Sequence, residues 1–498
     1  MIIIPSVKIQ PNTRSLAIFL YDEDQIATLS KLPLPSRVRT TLKKVKAHLP
    51  HEQLKVAIFP QASGSIDMIA VVSLGKKKEV SRFVLNRAIR AAARTLNDAK
   101  QKRTAFLFPS ISLSDTDVLA MVTRESQTGL YAFTTYKKKK AGKNSLTRIT
   151  VVLPRRIPQD AQVKKLIKDE TALAEEINAA RELSNMPGGD MTPAVLSEHA
   201  KKTGKKYGFR VTAYNEKQMK KFGMGGILGV SRGSDEPAKF IVCEYAHPKA
   251  REQKPFVFIG KGVTFDTGGL NVKPEMGMYE MHLDMSGGAS VIHAVAAIAR
   301  MKLPVHVVGL IPSAENMPSG SGYRPGDILR TYSGKTIEVK HTDAEGRLLL
   351  ADALGFSKTF HPEVIVDLAT LTGAAVVALG KRVSAVLSPD KKLADQLVAA
   401  GEVCGDRAWP LPLWPEYKSD MSSDFADIAN ISKVKFGGVI TAAAFLWEFA
   451  PINHWAHVDI ASTMTSIPED HLSPGSKGSG VNLLVTFVKQ FYDNSAKT

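Results

Sequence analysis

Two hydrophobic periods alternate along this chain. Between residues 50 and 155, short apolar runs (VAIFP, MIAVVSLG, TAFLFPS, ITVVLP) are separated by the basic, helix-periodic stretch VSRFVLNRAIRAAARTL. Runs of period two joined by a segment of period 3.6 predict a small α/β domain. A long amphipathic stretch follows, QVKKLIKDETALAEEINAARELSN, and stops at MPGGDMTP, where Pro187, Gly188 and Gly189 break the helix. Beyond it the order becomes strand, helix, strand: KFIVCEY, PFVFIG, SGGASVIHAVAAIARMK, VHVVGLIP, KTIEVK, GRLLLADALGFSKTF and EVIVDLA. Near-continuous Val and Ile strands between amphipathic helices predict a mainly parallel mixed sheet covered on both faces. The expected organisation is a basic N-terminal α/β domain over 1–165 and an α/β/α domain over 166–498. The break between them falls within residues 155 to 175.

The 498 residues exceed what one hydrophobic core usually organises, which agrees with two domains. No apolar stretch reaches the roughly 18 uninterrupted residues of a membrane span, because His293, Arg300, Lys302 and Pro304 interrupt the longest. MIIIPSVKIQ has neither the basic start nor the length of a secretory leader. Two distant cysteines, Cys243 and Cys404, make no disulfide framework. A cytoplasmic protein without membrane contact is expected.

Charge changes the picture only once it is located. Residues 1–170 hold 31 Lys and Arg against 13 Asp and Glu, and the remainder holds 35 of each, so the whole net charge of +18 lies in the first third. That asymmetry is compatible with a nucleic-acid partner. A solvated basic surface is the reading favoured, since the runs KKK (76–78) and KKKK (137–140) lack aromatic interleaving.

The second domain carries charges where a parallel sheet binds ligands, at the carboxyl ends of its strands. After PFVFIG come Lys261, Asp266 and Lys273; Asp284 precedes the helix opened by Ser286; after KTIEVK come Asp343 and Glu345, then Arg347. An extended backbone from 343 to 345 would put both carboxylates on one face. Each acid alone also fits a cap or an ion pair: Asp284 at a helix start, Asp343 with His341, Glu345 with Arg347. Four acids gathered at one edge repel unless cations neutralise them, and carboxylates suit zinc, manganese or magnesium, including pairs of ions.

The segments GKGVTFDTGG, the downstream Lys273-Pro274, DMSGGA, TDAEGRLLLADAL and DLATLTGAAVVALG occur in this order. In order and spacing the chain resembles the leucyl (cytosol) aminopeptidases, a metallo-aminopeptidase family. The likeness runs from about 179 to 484, including NMPGGDMTP, WAHVDIAST and GSGVNLL, and hardly touches the first domain. It implies removal of N-terminal residues from peptides at two divalent ions per subunit, Mn²⁺ or Zn²⁺ with Mg²⁺ as a further option. Asp266 and Glu345 would bridge the ions, Asp343 would complete one site, and Lys261 as a neutral amine with Asp284 the other. Lys273 would polarise the scissile carbonyl, and Arg347 would hold a bicarbonate that takes a proton from the attacking water. Met281 would line the pocket for the first side chain, leucine or another apolar residue, while Thr370, Leu371 and Gly373 would contact the peptide. The resemblance also implies a homohexamer.

His341 stands where the family usually has asparagine, and His282 where a lysine often lies; neither replaces an implied ligand. Other motifs are weaker. GVSRG (229–233) has the form of a nucleophile elbow around Ser231, but a turn and a strand follow it where that motif needs a helix. SGKT (333–336) lacks the first glycine of a phosphate loop and reads as a hairpin turn. His454, His457 and Asp459 in HWAHVD read as a buried strand, and His51-Glu52 lacks the second histidine of a zincin helix.

Overall fold

A computed structural model describes residues 1–23, 25–63, 66–138, 142–155 and 160–495, which fall into two units: Met1–Glu175 with Ser466–Pro474, and Glu176–Thr465 with Gly475–Thr498. Lys76, Lys77, Lys78, Lys137 and Lys138 are exposed; Lys139 and Lys140 lie outside the described residues.

In the first unit, strands β1 (Ile2–Ser6), β2 (Ser15–Leu20), β3 (Val56–Ser63), β4 (Ile66–Ser73), β5 (Arg103–Leu107) and β6 (Arg148–Val152) form a sheet of order β1-β6-β5-β2-β4-β3. All neighbours are parallel except the β3/β4 hairpin. Alternation along β2 sorts its side chains between two cores. Ala17 and Phe19 pack with the helices Arg82–Asp98 and Asp115–Gly129, whereas Leu16, Ile18 and Leu20 pack with Gln25–Lys31 and Ser36–Lys44. β1 and β2 add to the predicted strands. Pro5 is tolerated in β1 because that strand lies at the sheet edge, paired only with β6.

The second unit contains β7 (Arg210–Tyr214), β8 (Lys239–Ala246), β9 (Phe256–Gly260), β10 (Gly262–Asp266), β11 (His306–Asn316), β12 (Ile328–Arg330), β13 (Thr336–Glu338), β14 (Val364–Ala369), β15 (Ser384–Leu387), β16 (Ala408–Pro410), β17 (Ile428–Ala429) and β18 (Trp455–Asp459). Its main sheet has the order β16-β15-β18-β14-β9-β11-β8-β7, with β10 added beside β11. The centre, β18-β14-β9-β11, is parallel, and antiparallel pairings at β15, β8 and β7 make the sheet mixed. Along β9, Val257 and Ile259 join the core under the helices Gly346–Ser357 and Gly438–Trp447, while Phe256 meets Phe487 of the helix Val481–Ser495 on the other side. No helix of the described residues is long and apolar enough to cross a membrane.

One strand departs from the expected series. KTIEVK supplies β13, which belongs to a separate sheet of order β12-β13-β17. It is three residues long, and its Ile337 is drawn into the core with Leu329 and Val339.

Candidate metal centre

Local structure delivers six charged side chains to the carboxyl ends of the central strands. Lys261 follows β9 directly: its backbone N–H donates to the carbonyl of Leu368 (3.0 Å), and its carbonyl accepts from Gly288 N (2.7 Å), which ties it between β14 and the start of the helix Ser286–Met301. Gly287 permits that approach, since a Cβ there would lie 2.2 Å from the Leu368 carbonyl oxygen. Asp266 ends β10 in register with Asn316 at the end of β11. Past it, Gly268 and Gly269 take positive φ (89° and 65°), turning the chain so that Lys273 N donates to Thr267 O at 2.8 Å. Asp284 follows the short 3₁₀ turn Met281–Leu283.

The segment 341–345 corrects the expectation of an extended chain. Thr342 and Asp343 lie in a turn and Glu345 has helical angles (φ −78°, ψ −40°) at the entry to Gly346–Ser357, so the two carboxylates do not share a strand face. They come together because side chains pin the turn. Thr342 Oγ1 donates to Gly268 O (2.6 Å), Asn271 N donates to Thr342 Oγ1 (2.8 Å), and Asn430 Nδ2 donates to His341 O (2.7 Å). Tyr323 donates its hydroxyl to Thr342 O.

Oxygens of Asp266, Asp343 and Glu345 all lie within 4.8 Å of one another. Lys261 Nζ stands 2.8 Å from Asp284 Oδ2 and 2.7 Å from Glu345 Oε1, and donates to Thr370 O at 3.1 Å. Lys273 Nζ lies 2.8 Å from Asp266 Oδ2 and pairs with Asp343. Lys261, Asp266, Asp284 and Glu345 are buried; Lys273 and Asp343 are partly open to solvent.

Burial and mutual repulsion dominate the electrostatics. Burial pushes Asp284 up to about 8, with Glu345 and Asp266 adding to the rise against the pull of Lys261. Burial and Glu345 push Asp266 to about 6 and raise Asp343 as well. Glu345 is instead held low, because Lys261 and Lys273 outweigh its burial. Burial disfavours charge on both lysines, yet the carboxylates around them hold them above the ordinary lysine range. Lys261 is therefore an ammonium in this arrangement, the opposite of the neutral amine that metal ligation needs.

The donor set fits divalent cations. Four carboxylates face two ammoniums and remain in excess. Asp284 Oδ2 and Asp343 Oδ1 are buried oxygens that accept no well-directed hydrogen bond, although each has a lysine at ion-pair distance. Carboxylate oxygens with one amine suit Mn²⁺, Mg²⁺ or Zn²⁺.

Arg347 is the second residue of the helix Gly346–Ser357. Its Nη1 donates to Asn430 O (2.7 Å) and its guanidinium carbon lies 5.9 Å from the centre of the Phe445 ring. Burial lowers it to about 10, and its Nε is buried without a partner, so an anion beside it would relieve an uncompensated donor. Thr370 Oγ1 donates to Asp284 Oδ1 (2.7 Å), while Leu371 N is already committed to Asp459 Oδ1 (3.1 Å). Met281 is half-buried, and Gly373 faces open space.

Several residues that shape the site escape sequence reasoning. Asn316 Nδ2 donates to both Asp266 Oδ1 (2.8 Å) and Thr342 O (3.0 Å), coupling the two carboxylate segments. Its signal is the continuation of β11 past VHVVGLIP into polar SAEN. Asp459 orients Leu371 and accepts from Thr372 Oγ1 (2.7 Å), while the charge of nearby His457 acts on it. Within HWAHVD, His457 pairs with Asp367 (2.5 Å) and His454 with Asp390 (2.5 Å). His341 Nδ1 accepts from Asp343 N at 3.2 Å, and His282 is depressed by burial. Ser231 ends a short helix and donates to Glu216 and Leu228, and SGKT forms the β12/β13 turn.

The sequence profile of the cytosol aminopeptidase family, catalytic domain, matches residues 178–485, and that of the same family's N-terminal domain matches residues 51–140. A probable cytosol aminopeptidase of Methylobacillus flagellatus is 42% identical over 426 residues, 85% of each chain. A cytosol aminopeptidase of Pseudomonas aeruginosa is 41% identical over 401 residues, 80% of each chain. The solved structure of the bottromycin maturation enzyme BotP in complex with Mn superposes with a TM-score of 0.82 at 29% identity, covering 96% of this chain and 99% of that one.

Proposed function

Because the chain belongs to the cytosol aminopeptidase family and is accordingly a metal-dependent peptide hydrolase, we propose that it removes N-terminal residues from peptides at a pair of divalent ions, with leucine and other apolar residues preferred. The carrying observation is the convergence of Asp266, Asp343 and Glu345 within 4.8 Å, beside Asp284 and Lys261. Asp266 and Glu345 would bridge the ions, Asp343 would serve one, and Lys261 with Asp284 the other. Manganese is favoured by the ion in the BotP complex, and zinc by the amine ligand. When bound, the ions supply a water acidified to neutral pH and a Lewis-acid hold on the scissile carbonyl.

The chain's own residues do the rest. Lys273, cationic at neutral pH and partly open to solvent, donates to the carbonyl oxygen as it gains charge. Arg347 offers its unpartnered Nε to a bicarbonate, the base for the attacking water. Met281 gives the first side chain an apolar wall, and the backbone of Thr370, Leu371 and Gly373 borders the peptide. An apolar wall discriminates by only about 1 to 3 kcal/mol per methylene, so a range of apolar first residues is expected.

The test is hydrolysis of leucine p-nitroanilide by purified protein, with Mn²⁺ or Zn²⁺, after chelation, and in Asp266→Ala. Activity lost on chelation, regained with metal and absent from the folded variant supports this reading. Full activity in the chelated protein or in Asp266→Ala contradicts it.

The net positive charge of residues 1–170 favours a second role, nucleic-acid contact through the first unit. Duplex DNA binding with a steep negative slope in log salt, lost on reversing Lys76, Lys78 and Lys137 to Glu, is the expected behaviour; affinity unchanged by those reversals would sink it.

A further inference from the structure

The first unit has its own ligand geometry. Strands β1, β2, β4, β5 and β6 are parallel, so their carboxyl ends lie along one edge of the sheet. β4 and β5 flank β2 on opposite sides. From β2 the chain leaves toward one face through Gln25–Lys31 and Ser36–Lys44, packed on Leu16, Ile18 and Leu20. From β4 it leaves toward the other face through Arg82–Asp98, packed on Ala17 and Phe19. Connections that part in this way open a crevice at the carboxyl edge, which is where open α/β sheets take their ligands.

The crevice is present as a cavity of about 550 Å³, bordered by Val7 after β1, Tyr21 after β2, Lys77 after β4, Phe108 after β5 and Pro154 after β6. A second cavity of about 570 Å³ adjoins it, sharing Tyr21, Glu23 and Lys77. Either volume lies in the range of small-molecule sites, roughly 300 to 1,000 Å³.

Three chemistries line it. Lys31 and Lys77 are exposed cations at the rim, the latter with Nζ 5.9 Å from the centre of the Tyr21 ring. Tyr21 is itself fixed by donating its hydroxyl to Ser110 O at 2.8 Å. Phe108 is a flat apolar wall whose ring is held by stacking on Phe19, 4.3 Å between centroids and 5° between planes. Glu23 is a hydrogen-bond acceptor anchored by Lys77 N, which donates to its Oε2 at 2.9 Å. Cations ask for an anion, the aromatic wall for a planar ring, and the carboxylate of Glu23 for hydroxyl donors. A bare phosphate leaves the wall uncovered, and an uncharged ring leaves the lysines unpaired.

We propose that the carboxyl-edge crevice of the first unit binds a nucleoside phosphate, with the phosphate at Lys31 and Lys77, the base against Phe108 and the ribose hydroxyls toward Glu23. The site stands independently of the peptidase reading, since it shares no residue with the metal centre.

Isothermal titration of the full chain with ADP tests it, with inorganic phosphate and adenosine as separate titrants. Saturable ADP binding is expected, weakened at least about tenfold, or 1.4 kcal/mol, by Lys31→Glu. Ala27→Trp, which places a bulky ring on the exposed rim position Ala27, is expected to abolish it. Both variants are checked for unchanged melting temperature and unchanged leucine p-nitroanilide hydrolysis, so that lost binding is not lost folding. No saturable heat with ADP, equal affinity for phosphate alone, or undiminished ADP affinity in Ala27→Trp overturns the proposal.

Discussion

As the proposed ligand of one ion, Lys261 would link the charge state of the centre to metal uptake. Its ammonium lies between Asp284 and Glu345, a position where one divalent ion would satisfy both carboxylates and the amine. For that exchange Lys261 must lose a proton, and Asp284, pushed up to about 8 by burial and its acidic neighbours, must be ionised. Both groups have raised values, so protons oppose the metal, and affinity should climb as pH rises through 6 to 8. Titrations with Mn²⁺ in buffers of different ionisation heats should report at least one proton released per binding event and about a tenfold gain per pH unit for each proton. Affinity that ignores both pH and buffer would show that Lys261 keeps its proton and is no ligand. Lys273 plays a different part, being more open and paired with Asp266 and Asp343. If its charge serves mainly the developing oxyanion, Lys273→Ala lowers kcat by about 10²- to 10³-fold with KM nearly unchanged. A rise in KM at constant kcat would instead make it a substrate-holding group.

At the scale of elements, the helix Gly346–Ser357 presses its first residue against the side chain of Lys261. A Cβ at Gly346 would lie 2.5 Å from Lys261 Cε and 2.7 Å from Nζ. The far end of a lysine can move, so Gly346→Ala should leave the fold and melting temperature nearly intact while expelling Nζ from between Asp284 and Glu345. Metal titration should then show one of two ions weakened by about 10- to 100-fold, the other little changed. Equal weakening of both, or a collapse of thermal stability, would contradict this account. The elements meeting here are legible in the sequence to different degrees. β9, β14 and the helices after Asp284 and Glu345 stand out because apolar runs of strand or helix length have few alternatives. The turn at 341–345 does not, because its shape is set by Thr342, Asn271 and Asn430, whose partners lie as far as 89 residues away. Of the acids, Asp266 is placed at the edge by the strand-end rule, since it closes β10 beside β11, whereas Asp343 and Glu345 follow β13 of the separate sheet and reach the edge through the turn. Asn316 stays hidden for the same reason as Asn430: a neutral amide acquires meaning only from what it meets in space. The charge count locates the basic excess, but the crevice in the first unit depends on which face each connection takes, and hydrophobic period alone leaves that open.

For the whole molecule, the distribution of exposed apolar groups bears on assembly. Met276, Tyr279, Val377, Phe425 and Phe436 of the second unit stand almost fully in solvent. Scattered apolar residues are ordinary on a monomer, yet large aromatic side chains at this exposure, beside Val272 and Val434, are the kind that interfaces cover. The basic excess of the first third would keep isolated chains apart at low salt, so association has to come from apolar burial rather than charge. The homohexamer expected from the family resemblance would supply that cover. Sedimentation of the full chain should give a species of six times 54.1 kDa, persisting in high salt because salt screens charge and leaves apolar contacts in place. Phe436→Glu, which sets an unpaired charge where an apolar contact is expected, should shift the distribution toward smaller species while each chain remains folded by circular dichroism. A parent protein that sediments at the mass of one chain would mean that these side chains face solvent, or the peptide itself, in the working enzyme. Peptidase kinetics of Phe436→Glu separate those two cases, since only a residue beside the peptide changes the KM of a monomer.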